Sequence, residues 1–262
     1  MTDTHTHLYM PDAYADGCAE AVTRAIAAGV SRMVFPCVNL DSLPAMRELH
    51  GQFPDNTRLA IGLHPTDLTP GWESDLDRME SMLPGDFVAI GEVGIDLYHD
   101  SSMREEQKIA FARQLGWATR YDLPVIIHCR EGLDDTLEVI SEGRPDLPLL
   151  VFHSFTGTAA DVARIREVCD PWFGINGVVT FKNAPLLREA LPDIGLGRML
   201  LETDSPWLAP APHRGTRNES ANIPYIRDCV ASTLGVTPAL VEEVTDTSAA
   251  RLFGFTPTDT YP

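Results

Sequence analysis

Short apolar runs alternate with longer segments of helical periodicity along almost the whole chain. Strands are predicted near residues 1–9, 31–37, 57–63, 87–91, 124–128, 148–153, 172–176 and 198–202. Segments 18–29 and 104–121 repeat apolar residues at helical spacing. In the second segment we expect one apolar face formed by Ile109, Ala112, Leu115 and Ala118. Eight strand–helix units predict a (β/α)8 TIM barrel that spans residues 1–262 as one domain. A doubly wound open sheet is the alternative.

Histidines and carboxylates stand at the ends of several predicted strands. The candidate metal ligands are His5, His7, Glu92, His128, His153 and Asp204. In barrels of this kind the active site lies at the C-terminal ends of the strands, so we expect these side chains to meet there. Imidazole and carboxylate ligands suit two divalent metal ions, Mg, Mn or Zn. A two-metal centre favours attack by water on an ester, amide or phosphodiester.

Spacing suggests how these side chains divide between two metals. His5 and His7 share one strand face and can bind one metal together. His128 and His153 end successive strands and can bind a second. Glu92 has two oxygens and can bridge both ions. The alternatives are solvated histidines near the terminus for the first pair and a satisfied core histidine for His128.

Other acids accompany these ligands. Asp204 is expected to bind metal and to accept a proton from an attacking water, with Glu92 as the second catalytic residue. Glu202 lies two residues deeper and is expected to bond a ligand histidine. Asp3 is either an orienting partner for an imidazole or an ordinary acid at a strand start. Asp96 either contacts substrate or caps the next segment, and the structural role is favoured.

Substrate contacts are expected from side chains at the same level. Arg130 can grip a phosphate oxygen, or it can pair with Glu131 instead. His64 ends the third strand and can touch substrate. His50 and His99 have no supporting context, and both are expected at the surface.

The segment 205–222 is rich in proline and polar residues and predicts a long loop ahead of two closing helices. Loops of this length in compact domains are usually functional. Arg214 and Asn218 are the substrate-binding candidates here, with His213 and Arg217 beside them. A solvated polar loop is the alternative for all four.

Composition narrows the class of protein. The net charge of -18 disfavours a passive DNA-coating protein, although it permits an enzyme whose positive charge is concentrated in metals and a few arginines. Five widely spaced cysteines indicate reduced thiols and a cytoplasmic location. We expect no signal peptide, no membrane association and no obligate protein partner.

Together these segments resemble the TatD family of metal-dependent deoxyribonucleases in the amidohydrolase-like superfamily. The blocks that carry the resemblance are D-T-H-T-H at 3–7, I-G-L-H-P at 61–65, I-G-E-V-G-I-D at 90–96, P-V-I-I-H-C-R at 124–130, H-S-F-T-G at 153–157, I-N-G-V-V-T-F-K-N-A at 175–184, L-L-E-T-D-S-P-W-L-A-P at 200–210 and R-L-F-G at 251–254. Their order and spacing are more specific than any single block. Ser220 and Ser248 depart from the family's usual proline and asparagine.

The resemblance implies a (β/α)8 barrel with two metals that share one ligand. It assigns His5, His7, Glu92 and Asp204 to one metal, and Glu92, His128 and His153 to the other. The implied activity is hydrolysis of DNA phosphodiesters, and we expect an exonuclease that acts on single-stranded or 3′ ends. Two alternatives remain open: a hydrolase of a small cyclic amide, lactone or aminoacyl ester, and a non-catalytic metal-binding protein.

Overall fold

The computed structural model describes residues 1–99, 101–143 and 146–255, so residues 256–262 of the expected domain lie outside the described residues. The strands are β1 (Thr2–Asp3), β2 (Arg32–Pro36), β3 (Thr57–Ile61), β4 (Phe87–Asp96), β5 (Val125–Arg130), β6 (Leu150–Phe152), β7 (Trp172–Ile175) and β8 (Met199–Leu201). The α-helices are α1 (Cys18–Ala27), α2 (Leu43–Gln52), α3 (Trp72–Glu80), α4 (Arg104–Tyr121), α5 (Leu133–Glu142), α6 (Ala159–Val168), α7 (Pro185–Ile194), α8 (Ile223–Leu234) and α9 (Pro238–Phe253). Short 3-10 turns occupy Pro11–Ala13, Leu40–Ser42, Pro65–Asp67, Gly177–Thr180, Leu196–Arg198 and Ser220–Asn222. Within the described ranges, no helix combines the length and apolarity needed to cross a bilayer.

The eight strands form one parallel sheet in the order β1 to β8. The sheet nearly closes because the chain after β1 meets the chain after β8. The amide of Thr4 donates to the carbonyl of Leu201 at 3.0 Å, and Thr6 and Ser205 form a parallel bridge. This contact between the first and last strands confirms the TIM barrel and excludes the open doubly wound sheet.

Two strands differ in length from the prediction. β1 ends at Asp3, because residues 4–7 continue beside the end of β8 through isolated contacts rather than a regular ladder. β4 is longer than expected, because its pairing with β5 runs on to Asp96 opposite Arg130. The register shifts between Ile90 and Val93. Glu92 therefore lies inside β4 at this irregularity, and the prediction that it follows the strand end is wrong.

The barrel interior is apolar at its base. Side chains from seven strands pack there against the end of α9, namely Val34, Ala60, Ala89, Ile126, Val151, Trp172, Leu200, Leu252, Phe253 and Phe255. Alternation along a strand line places Leu200, Glu202 and Asp204 on the same side of the sheet. The barrel interior is therefore apolar at the N-terminal ends of the strands and polar at their C-terminal ends.

A second apolar layer lies between the strands and the surrounding helices. In α4 the buried face includes Phe111, Trp117 and two glutamines, whereas Ile109 and Ala112 are exposed. The predicted apolar face is therefore correct at Leu115 and Ala118, which are buried, and wrong at Ile109 and Ala112. One of the two glutamines, Gln107, accepts a hydrogen bond from the amide of Asp96 at 2.8 Å, so the buried face is defined partly by polar contacts.

Candidate metal centre

Backbone hydrogen bonds bring the chain after β1 beside the chain after β8. The amide of Asp204 donates to the carbonyl of His5 at 2.9 Å, and the amide of His7 donates to the carbonyl of Ser205 at 2.8 Å. Asp204 has a φ of 54°, in the left-handed region that residues other than glycine rarely adopt. The chain thus turns at Asp204, and its side chain lies next to both imidazoles.

The first group of potential ligands surrounds one oxygen of Glu92. His5 Nε2 lies 3.2 Å and His7 Nε2 lies 3.8 Å from Glu92 Oε2. Oδ1 of Asp204 lies 3.9 Å and 3.8 Å from the same two nitrogens. The two Nε2 atoms are 3.2 Å apart. Two imidazoles from the chain after β1, a carboxylate from within β4 and a carboxylate from the chain after β8 therefore face a common point.

The second group surrounds the other oxygen of Glu92. Nε2 of His153 and Nδ1 of His128 each lie 2.8 Å from Glu92 Oε1. His64 Nε2 is 3.3 Å from the same oxygen. His64 was expected only as a substrate contact, and the structure places it within reach of a cation at this position. Glu92 therefore presents one oxygen to each group.

Both groups of side chains are largely buried, and burial together with neighbouring charges shifts the pKa values of several of them. Burial raises the pKa of Asp204 to about 7 and lowers the pKa of His5 to about 4. Burial also opposes the charge of Glu92, yet the imidazoles of His153, His64 and His5 lower the pKa of this carboxyl well below its usual range. Among the described residues, no lysine or arginine pairs with Glu92 or Asp204. Buried carboxylates with imidazoles as their only partners fit a bound divalent cation.

Three of the imidazoles have a second partner behind the centre. Asp96 Oδ2 accepts from His128 Nε2 at 2.9 Å. Nδ1 of His7 lies 2.8 Å from the hydroxyl of Tyr9, which donates onward to a backbone carbonyl. His153 Nδ1 lies 3.5 Å from Glu202 Oε1, in agreement with the expected contact of Glu202 with a ligand histidine. Metal-binding histidines in proteins commonly have such partners.

Asp3 does not orient an imidazole ring, which was one of the two roles considered for it; it binds backbone and threonine groups instead. Its Oδ1 accepts from the amide of Thr203 at 3.0 Å, and its Oδ2 accepts from the hydroxyl of Thr203 at 2.6 Å. The amide of His5 also donates to Oδ1, at 3.3 Å. Asp3 therefore fixes the backbone around β1 and β8, and among the described residues it forms no hydrogen bond to an imidazole ring.

A cavity of about 750 Å³ opens above the centre. Arg130 lines it, and its guanidinium stacks 3.8 Å from the ring centroid of Tyr98. Among the described residues Arg130 has no carboxylate partner, so the alternative pairing with Glu131 is not seen. Trp207 also lines the cavity and is 50% exposed. The cavity wall therefore contains a guanidinium that has no acidic partner among the described residues, and an accessible aromatic ring.

The two loop candidates lie elsewhere. Asn218 is fully buried, and its Nδ2 donates to the carbonyls of Thr203 and Trp207 at 2.9 and 2.7 Å. Both amide hydrogens are thus used, and the prediction that Asn218 binds substrate is wrong. Arg214 is exposed, stacks 4.3 Å from the ring centroid of Phe181, and is not among the described residues that line the cavity.

Sequence reasoning missed His99. It lines the cavity, and its Nδ1 lies 3.0 Å from Asp96 Oδ2, the oxygen that also accepts from His128. The signal was its position three residues after Asp96 in a tight turn. His50 is half-buried, with Nδ1 2.7 Å from the hydroxyl of Thr57. The expectation that His99 lies at the surface is confirmed, since its side chain is 54% exposed, but the sequence did not reveal its contact with Asp96 or its place in the cavity wall.

Ser220 and Ser248 are the two departures from the family pattern noted in the sequence. Both are buried. The hydroxyl of Ser220 lies 3.3 Å from that of Thr6, at the junction between the chain after β1 and the 205–222 loop. A serine here therefore adds a polar contact that proline cannot make.

Comparison with known proteins adds independent findings. The family model described as TatD related DNase matches residues 2–254. A Bacillus subtilis protein named as the uncharacterized metal-dependent hydrolase YabD is 34% identical over 254 residues, which cover 97% of this chain and 98% of that protein. The 3′-5′ ssDNA/RNA exonuclease TatD of Cronobacter sakazakii is 37% identical over 240 residues, covering 89% and 90%. The crystal structure of YjjV, a TatD homologue from Escherichia coli K12, matches with a TM-score of 0.86 at 26% identity, covering 97% and 98%.

Proposed function

Because this chain belongs to the TatD family of metal-dependent hydrolases, we propose that it is a two-metal nuclease acting on the ends of single-stranded DNA or RNA. The observation that carries the proposal is the carboxylate of Glu92. One of its oxygens faces His5 and His7, and the other faces His128 and His153. A carboxylate placed in this way suits two adjacent cations.

The residues divide into two ligand sets. His5, His7, Asp204 and Oε2 of Glu92 would hold one ion; His128, His153 and Oε1 of Glu92 would hold the other. Histidine-rich sets favour zinc or manganese, and the carboxylates also admit magnesium. Such cations supply Lewis acidity that activates water and neutralises phosphate charge.

The protein's own groups then act on the substrate. Asp204 accepts the proton of the attacking water, since its carboxylate lies beside both imidazoles of the first ligand set, where that water would be held. Arg130 binds a non-bridging phosphate oxygen, because its guanidinium lines the cavity without an acidic partner among the described residues. Trp207 provides an exposed ring on which a base stacks. A cavity of about 750 Å³ accommodates a nucleotide.

The test is cleavage of short single-stranded DNA and RNA, labelled at the 5′ or the 3′ end, with Mg, Mn or Zn added after chelation. We expect stepwise shortening from the 3′ end by the wild-type protein. Asp204→Asn should lose at least a hundredfold in rate while remaining folded by circular dichroism. The proposal is contradicted if the metal-loaded protein leaves every oligonucleotide intact but hydrolyses a lactone, cyclic amide or aminoacyl ester in a parallel panel.

A further inference from the structure

A cluster of polar atoms lies behind the metal centre, on the side of the barrel core. We call His5, His153 and Glu202 the lower cluster. One ring nitrogen of each histidine and one oxygen of Glu202 lie within 4.8 Å of one another. Nδ1 of His5, Nδ1 of His153 and Oε2 of Glu202 are buried and have no hydrogen-bond partner among the described residues. Such atoms are rare in folded proteins, and each calls for an explanation.

The two imidazoles of the lower cluster have the same orientation. Their rings stack at 3.8 Å between centroids, with an angle of 13° between planes. Nε2 of His5 faces Glu92 Oε2 at 3.2 Å, and Nε2 of His153 faces Glu92 Oε1 at 2.8 Å. Each ring therefore directs Nε2 towards Glu92. His153 Nδ1 lies 3.5 Å from Glu202 Oε1, and a ring nitrogen of His5 lies within 4.8 Å of a Glu202 oxygen.

This orientation determines what the lower cluster binds. A neutral imidazole has one lone pair, and the nitrogen that does not use it carries the proton. If Nε2 of each ring binds a metal, both Nδ1 atoms are N–H donors. A third cation in the lower cluster would need a second lone pair from each ring, so a cation is disfavoured there. A carboxylate, which only accepts, is the complementary group.

We propose that Glu202 is a positioning residue shared by both metal shells. Its carboxylate accepts the Nδ1–H of His153 and stabilises the same tautomer of His5. One side chain thus orients one imidazole of each ligand set. The inference rests on the two-metal centre proposed above, and it concerns a residue that contacts neither substrate nor metal.

The surroundings of Glu202 support this role. Its Oε1 accepts from the amide of Ser154 at 2.5 Å, which fixes the residue next to His153. A Cβ atom added at Gly174 would lie 2.0 Å from Oε2, so β7 leaves space for the carboxylate only because it has glycine there. The other two ligand histidines have their own partners, Tyr9 and Asp96. Glu202 differs from both of these partners because it lies close to one ligand histidine of each set.

The experiment compares Glu202→Gln with Tyr9→Phe, which removes a partner of His7 alone. Metal affinity is measured by chelator competition with elemental analysis, and histidine tautomers by ¹⁵N NMR. In Glu202→Gln we expect both ions to bind 10- to 100-fold more weakly and the Nδ1–H signals of two histidines to change. In Tyr9→Phe we expect only one ion to weaken.

Two results would overturn the inference: wild-type affinity for both ions in Glu202→Gln, or a loss confined to one ion. If Glu202→Gln does not fold, Gly174→Ala displaces the carboxylate without removing it and should weaken both ions in the same way. Unchanged affinity in a folded Gly174→Ala protein would then count against the inference. Wild-type protein that binds two ions but cleaves no nucleic acid would refute the proposed nuclease and leave the role of Glu202 intact.

Discussion

Replacing Asn218 with alanine tests whether this residue holds the loop or binds substrate. The change removes four hydrogen bonds. Two are donated to the carbonyls of Thr203 and Trp207, and two are accepted from the backbone amide of Glu219 and the side-chain amide of Asn222. Each bond contributes about 1 kcal/mol net. We expect a loss of roughly 3–4 kcal/mol in the free energy of unfolding. For a chain of this size that lowers the melting temperature by roughly 10 °C.

The measurement is urea denaturation followed by circular dichroism, with Asn183→Ala as the matched control. Asn183 is exposed, so its replacement should change stability by less than about 0.5 kcal/mol. Oligonucleotide cleavage is measured on the same proteins at a temperature where both are folded. We expect Asn218→Ala to lower the free energy of unfolding clearly, while its KM for oligonucleotide stays close to the wild-type value.

The reasoning is refuted by the opposite pattern. An Asn218→Ala protein that unfolds at the wild-type urea concentration, but binds oligonucleotide much more weakly, would make this side chain a substrate contact. The buried position and the two donated hydrogen bonds would then have been misinterpreted.

Three further predictions concern the centre and its entrance. Arg130→Lys should lower kcat/KM for oligonucleotides roughly 10- to 100-fold with unchanged metal content, because lysine cannot replace a planar guanidinium, and steady-state kinetics with elemental analysis will show whether it does. Metal affinity should rise from pH 6 to pH 8, because binding displaces protons from Asp204 and from His153. Burial raises the pKa of Asp204 to about 7; burial lowers the pKa of His153, but the charges and hydrogen bonds of Glu92 and Glu202 together outweigh it and raise this pKa well above its usual value. Titration calorimetry in two buffers should show proton release, and pH-independent binding would contradict the prediction. Metal at one hundred times its Kd should stabilise the fold by about 2.7 kcal/mol per ion, and a melting temperature unaffected by chelator would exclude a site in the folded protein.

The barrel and the convergence of the ligands were predictable because both depend on strand periodicity. His128 and Asp204 come at or shortly after the end of an apolar run, and parallel strands must bring such ends together. His64 and His128 both contact Oε1 of Glu92. The contact of His64 was not predictable, because it depends on the orientation of its ring. The bridging position of Glu92 was predicted from its chemistry, although the register shift that places it was not visible in sequence.

Errors arose where polar contacts determine position. Asn218 stands in a loop full of polar residues, and only the three-dimensional path of that loop shows that its amide is buried. The buried face of α4 contains Gln107, whose side chain bonds the backbone of Asp96, so counting apolar residues alone wrongly added Ile109 to this face. The contact of His99 with Asp96 was overlooked because His99 lies in the turn after β4, whose geometry the sequence does not specify.

The bridging position of Glu92 is tested most directly by crystals grown with manganese and measured at its absorption edge. We expect two anomalous peaks about 3.5–4 Å apart, one bound by each oxygen of Glu92. His5, His7 and Asp204 should surround the first peak, and His128 and His153 the second. A single peak, or two peaks of which only one contacts Glu92, would contradict the two-metal centre.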